Sequence, residues 1–237
     1  MSETKTKKSN EELIELIELI VVIMLGITAI LTAWSSWVSG LHAGVQTEMY
    51  AISNNISAEG NSEWNAAIKA SSQDMMVFND INNLMIDLTF AEMQGNLDEV
   101  EKLEWKIDEM FMANVGPDLE DAIIWAQAET ERTGEFVSPF DNEAFYNSYF
   151  DHALELLADA EEFLEVGTEA GSFSDNFSLV TVIYAITLFM LGMSAVIKKF
   201  NKKLVVFFVG AATFLLATIY MLFQPLPADF SLMSFFS

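Results

Sequence analysis

Residues 19–38 read LIVVIMLGITAILTAWSSWV, without a single charged side chain. An α-helix rises about 1.5 Å per residue, so about 20 apolar residues cross the ~30 Å hydrocarbon layer of a bilayer. Two later stretches meet the same requirement. Residues 179–197 read LVTVIYAITLFMLGMSAVI, and residues 204–223 read LVVFFVGAATFLLATIYMLF. The basic start of the chain would suit a signal peptide, but the first apolar run is longer than the 7–15 residues of such a segment. It therefore reads as a retained anchor.

The charge lies elsewhere. The chain of 237 residues is 52% hydrophobic, yet its formal net charge is -24. Residues 40–175 hold 29 of the 35 acids and four of the 11 bases (Lys69, Lys102, Lys106, Arg132), a balance of −25. Apolar and charged residues therefore belong to different segments. The expected fold class is an all-α integral membrane protein: three transmembrane helices, with an acidic extracytoplasmic helical bundle inserted between the first and second. The divisions are a cytoplasmic amphipathic segment (1–18), span 1 (19–38), the acidic domain (39–176) and span 2 (177–197). A basic cytoplasmic loop (198–203), span 3 (204–224) and an outer tail (225–237) complete the chain.

Lysine placement sets the direction. Lys5, Lys7 and Lys8 precede span 1, and Lys198, Lys199, Lys202 and Lys203 fill the turn between spans 2 and 3. Three crossings put all seven on one side, and excess lysine marks the cytoplasmic side. The expected location is the plasma membrane, with the N-terminus inside and the acidic domain and C-terminus outside. Trp34 and Trp37 then stand at the outer interface, where indole rings are favoured. Ser9 with Glu12 forms a helix-capping pattern ahead of span 1. Glu15 and Glu18 follow on a polar stripe.

Gly26, Ala29, Ala33, Ser36 and Gly40 recur at steps of three and four, one helix face of small residues. Small residues let backbones approach closely within lipid, where apolar burial drives nothing. The expectation is that this face packs the helices of one chain, or else joins copies of it. No Asp, Glu, Lys, Arg or His lies inside the three runs, which disfavours proton relays and voltage sensing.

Within the acidic segment, Gly60-Asn61, Gly95-Asn96, Gly116-Pro117 and Thr133-Gly134 punctuate helical patterns. Helices are expected at about 62–94, 97–114, 118–132 and 142–170, after a less regular one at 45–58. Trp64, Ile68, Met75, Phe78, Ile81, Met85 and Leu88 mark the buried stripe of the first. Met75, Met76, Met85, Met93, Met110 and Met112 are expected to fill gaps in its core. Asp151, Glu155, Asp159 and Glu162 line one helix face. Like charges so spaced repel, and calcium, an oxygen-seeking cation, is the candidate ion that would relieve them.

There is no cysteine, so disulfides and thiolate chemistry are excluded. The acidity excludes nucleic acid as a partner. No zinc-protease H-E-x-x-H, hydrolase G-x-S-x-G or phosphate-cradling glycine motif occurs. His42 and His152 read as surface histidines. The expected activity is therefore non-enzymatic: assembly as a homo-oligomer, or as an accessory subunit whose outer helical domain binds a membrane-protein partner. The alternative is an oligomeric cation channel with an acidic outer vestibule, using Thr28, Thr32, Ser35 and Ser39 as lining.

TAWSSWVSGLHAGVQ (32–46), SSQDMMVFNDINNLMIDLTFAEMQGN (71–96), SPF (138–140) and SDNFSLVTVIYAITLFMLGMS (174–194) together resemble an uncharacterised family of small prokaryotic three-span membrane proteins. That resemblance implies one span, a helical domain of a hundred-odd residues, then two spans. It implies no activity and no site residues.

Overall fold

The structure is a computed structural model that describes the backbone of residues 2–227 and the side chains of residues 13–227. α1 begins at Ser2 and runs through Ser9 and Glu12, so the expected cap at Ser9 does not open the helix, and the tail from residue 228 onward lies outside what the structure describes. Among the described residues every regular element is a helix. They are α1 (Ser2–Gln94), α2 (Leu97–Asn114), α3 (Pro117–Thr133), a short 3-10 turn (Pro139–Asp141), α4 (Glu143–Ser148), α5 (Asp151–Val196) and α6 (Phe200–Leu222). Three of them, α1, α5 and α6, are long and apolar enough to cross a membrane. The chain divides into two compact units, Met1–Ile52 with Glu162–Ser237, and Ser53–Glu161.

Local chemistry explains the helix ends. Gly95 adopts φ 68, a left-handed conformation that costs other residues a Cβ clash. The Asn96 N–H then donates back to the Ala91 carbonyl at 3.1 Å, closing the last turn of α1. Gly134 ends α3 the same way, with φ 74 and its N–H on the Thr130 carbonyl at 2.9 Å. Pro117 opens α3 at the first helical position, where its missing N–H costs nothing. Ser138 and Asp141 cap the 3-10 turn reciprocally, and the Asn142 side chain accepts from the N–H groups of Ala144 and Phe145 to start α4.

Several expected helix boundaries differ from the structure: α1 joins span 1 to the helix expected at 45–58, and α5 runs on through span 2 to Val196. Gly60-Asn61 is no break, because α1 runs straight through it. Gly60 is instead buried where α1 meets α5, and a methyl there would lie 3.0 Å from Leu157. The helix expected at 142–170 is two: α4, then α5 from Asp151.

The Ser53–Glu161 unit is centred on Leu119, Ala122, Ile123 and Phe145, with Phe78, Phe111, Phe140 and Tyr149 packed around them. Its far seam joins α1 to α5. There the Ser53 hydroxyl donates to the Ala160 carbonyl at 2.7 Å, and the Trp64 and Phe150 rings sit 4.6 Å apart. The unit of the three spans has two apolar clusters. One joins Ile17, Val21 and Leu191, and the other joins Val180, Tyr184 and Ala217.

Candidate interaction surface

Polar groups inside the three-span unit are bonded to one another. Thr187 donates to Thr213 at 3.0 Å, the Tyr184 hydroxyl lies 3.0 Å from Thr218, and the Ser39 hydroxyl lies 2.9 Å from both Ser178 Oγ and the Ser174 carbonyl. Such bonds between spans replace the water that lipid withholds. Thr28, Ser35 and Ser39 are buried here and Thr32 is half-buried. His42 is buried rather than on the surface. It stacks on Phe177, and its Nε2 lies 3.1 Å from the Pro225 carbonyl. A carbonyl only accepts, so the proton sits on Nε2 in that contact. His152 is exposed, as expected.

One ion pair escaped sequence reasoning. Lys203 is 3% exposed, and its ammonium bonds the Glu18 carboxylate across 185 residues. Both residues flank a span, so composition assigned one to a polar stripe and the other to the cytoplasmic charge signal.

The small-residue face lies elsewhere than expected within the chain. Gly26, Ala29, Ala33, Ser36 and Gly40 are all exposed, and nothing approaches within 4 Å of where a side chain would stand on Gly26 or Gly40. The contacts of span 1 run instead through Val21, Thr28, Ser35 and Ser39. Packing within one chain is therefore not what these five residues do.

Asp151, Glu155, Asp159 and Glu162 are likewise all exposed on α5. Among the described residues no group of three or more His, Asp or Glu side chains converges as a metal site requires. In the Ser53–Glu161 unit the Tyr149 hydroxyl donates to Asp74 at 2.5 Å. Burial, then the bond to Asp74 and the charges of Asp74 and Asp118, push the Tyr149 phenol well above its ordinary value.

The methionines overturn an expectation. Met75, Met76, Met85, Met93 and Met112 are exposed, and only Met110 is half-buried. The reason is geometric. The inward face of α1 in this unit is formed by buried Ser71, Ile81 and Ala91 with half-buried Phe78 and Leu88. Met76 and Met93 fall on the opposite side of the helix, together with Ile86 and Phe90. Met76 is 66% exposed, Phe90 57% and Met93 79%. A surface helix ordinarily turns charge outward, and a contiguous apolar patch on a soluble surface marks an interaction site.

A groove lies on the same unit, between α1, α2 and α3. Its volume is about 340 Å³, and Phe78, Met85, Phe111, Ile123, Phe136 and Val137 give it apolar walls, with Asn82, Gln127 and Thr130 among its polar groups. Trp105 and Phe136 are also exposed. The apolar surface of this unit thus includes a concave part and a helical part. No protein-family model matches the chain, and neither a curated protein nor a solved structure matches it at a significant level.

Proposed function

We propose that this is a non-enzymatic protein of the plasma membrane that acts by assembly, as a homo-oligomer or as an accessory subunit. The Ser53–Glu161 unit serves as the binding element on the outer side of the membrane, and the lysine-rich turn before α6 lies in the cytoplasm. Membrane lipid surrounds the spans, and kinship with small three-span prokaryotic proteins belongs to the same proposal. The observation that carries it is the uncharged face of α1 bearing Met76, Ile86, Phe90 and Met93, left exposed on a unit that holds 24 acids and four bases. Burying that face against a protein partner removes its apolar area from water.

An oligomeric cation channel gains nothing from Thr28, Ser35 and Ser39. Those hydroxyls are buried among the spans of one chain, whereas a pore between copies needs polar groups facing outward. The deciding measurement is the mass of the purified protein in a native-like lipid particle. Assembly requires several chains, or one chain with a stoichiometric companion. A lone chain without a companion refutes it.

A further inference from the structure

We infer that a second copy of this chain covers the exposed face of α1, through a parallel, in-register helix pair. The inference rests on the assembly proposed above and names its partner. Met76, Asn79, Asn83, Ile86, Phe90 and Met93 are all exposed, at steps of three, four, three, four and three. That is the a/d spacing of a helix pair, with Met76, Asn83 and Phe90 at one position and Asn79, Ile86 and Met93 at the other. The six stand opposite the buried stripe, so α1 has one face for its own unit and another free.

Three observations select a second copy as the occupant. The first is charge. Residues 53–161 carry 24 acids and four bases, so a copy approaching through the charged faces of the unit meets like charge. The outward surfaces of α2, α3 and α5 present Glu101, Glu104, Asp118, Asp121, Asp151 and Glu155, all exposed. None of the six stripe residues is charged. In a parallel pair the flanking Asp80 and Asp87 fall beside Met75 and Asn82 of the other copy, not beside carboxylates.

The second is the asparagine pair. Asn79 and Asn83 sit in the middle of an apolar seam, where a buried amide is costly unless it finds another amide. An in-register copy places each asparagine against its own counterpart, which is how a polar seam residue fixes register. Copies inserted in one membrane with one topology also run parallel.

The third is area. At about 200 Å² for a fully exposed large side chain, the fractional exposures of Met76, Ile86, Phe90 and Met93 give on the order of 500 Å² per copy before the two asparagines are added. The pair would bury about 1,000 Å², the threshold for a specific interface.

The chain has no cysteine, which makes the test direct. Single-cysteine variants Asn79→Cys, Asn83→Cys, Ile86→Cys and Phe90→Cys are prepared in full-length protein in lipid particles, with Glu104→Cys and Ala128→Cys as exposed controls. Oxidation is expected to link copies at the four stripe positions and several-fold less at the controls. In parallel, particle mass is compared for the unmodified chain and the double variant Ile86→Glu/Phe90→Glu, with helicity followed by circular dichroism. The unmodified chain should be multimeric and the double variant single, at equal helicity. A multimer that survives the double variant and links no better at the stripe overturns this inference while leaving assembly through another surface. A single chain with a different co-purifying protein does the same. A lone chain without companions overturns both.

Discussion

Replacing glycine by alanine on one helix should change sign with position. In a helix the substitution ordinarily stabilises by up to about 1 kcal/mol, because glycine loses more backbone freedom on folding. Gly44 of α1 has nothing within 4 Å of its would-be methyl, so Gly44→Ala should gain about 0.5–1 kcal/mol. Gly60 of the same helix is crowded. A methyl there lies 3.0 and 3.1 Å from two Leu157 carbons and 3.3 Å from the Leu156 Cβ. Carbon pairs prefer about 3.5–4.0 Å, so α1 and α5 must part by several tenths of an ångström. The Leu157 tip can rotate, but the Leu156 Cβ moves only with its backbone. Overpacking of this kind costs about 1–3 kcal/mol, and after the helical gain Gly60→Ala should lose about 1 kcal/mol. Gly167 is tighter still, with Tyr50 ring carbons at 2.6 and 2.8 Å and the Met49 Cβ at 3.2 Å. The ring is also held by its hydroxyl contact with Thr168 at 3.2 Å, so Gly167→Ala should lose about 2 kcal/mol. Thermal melting followed by circular dichroism in one lipid environment reads the series, at about 2–4 °C per kcal/mol for a chain of this size. If Gly60→Ala stabilised as much as Gly44→Ala, the close approach of α1 to α5 at Leu157 would be refuted.

Glu18→Gln should destabilise by about 2 kcal/mol and Lys203→Met by less than about 1 kcal/mol, because only the lysine is left buried and uncompensated. The side chains are 51% and 4% exposed respectively, and the double variant should melt above Glu18→Gln alone. Tyr149→Phe removes the donor to Asp74 and should cost about 1–2 kcal/mol at neutral pH, read by melting. Because folding raises the Tyr149 pKa, that contribution is full below the unfolded value of about 10 and is lost as pH climbs above it. The gap between the unmodified chain and Tyr149→Phe should therefore narrow above pH 10. Neutralising Asp151, Glu155, Asp159 and Glu162 together should raise the melting temperature at low salt and change little at high salt, since exposed charges are screened. A calcium-induced rise exceeding that from equal magnesium, and lost in this variant, would instead establish a calcium site.

Features written locally were legible in the sequence, and features decided by tertiary neighbours were not. The limits of α2 follow from Gly95-Asn96 and Gly116-Pro117, where a left-handed turn and a first-turn proline act within a few residues. Gly60-Asn61 carries the same signature for the opposite reason. Its glycine makes room for Leu157, and no local pattern separates a helix that stops from a helix that is touched. The break at Tyr149 and Phe150 contains neither glycine nor proline, so nothing announced it. The stripe from Gly26 to Gly40 read as an interface by residue size. Which face of span 1 the chain uses, however, was settled by hydroxyls such as Ser39 meeting Ser174 and Ser178. The α1 methionines read as core because methionine fills gaps well. Two apolar stripes on opposite faces of one helix merge into a single hydrophobic signal until one face is seen to be occupied.

The acidity and the uncharged stripe act on assembly in opposite directions, and salt separates them. Two units of residues 53–161, each with twenty more acids than bases, repel over a screening length of about 30 Å at 0.01 M salt but only about 8 Å at physiological ionic strength. A pair joined through Met76, Ile86, Phe90 and Met93 adds no like-charge contact at the seam, so what opposes it is the longer-range repulsion that salt removes. Salts excluded from the protein surface also strengthen apolar burial. The multimeric fraction should therefore rise steeply from low to physiological salt and flatten beyond it. A basic partner held by the carboxylates would behave in the reverse sense, binding best at low salt because complementary charge both steers and holds it. The sign of the salt response thus discriminates a second copy from a cationic partner, even before the surfaces in contact are mapped.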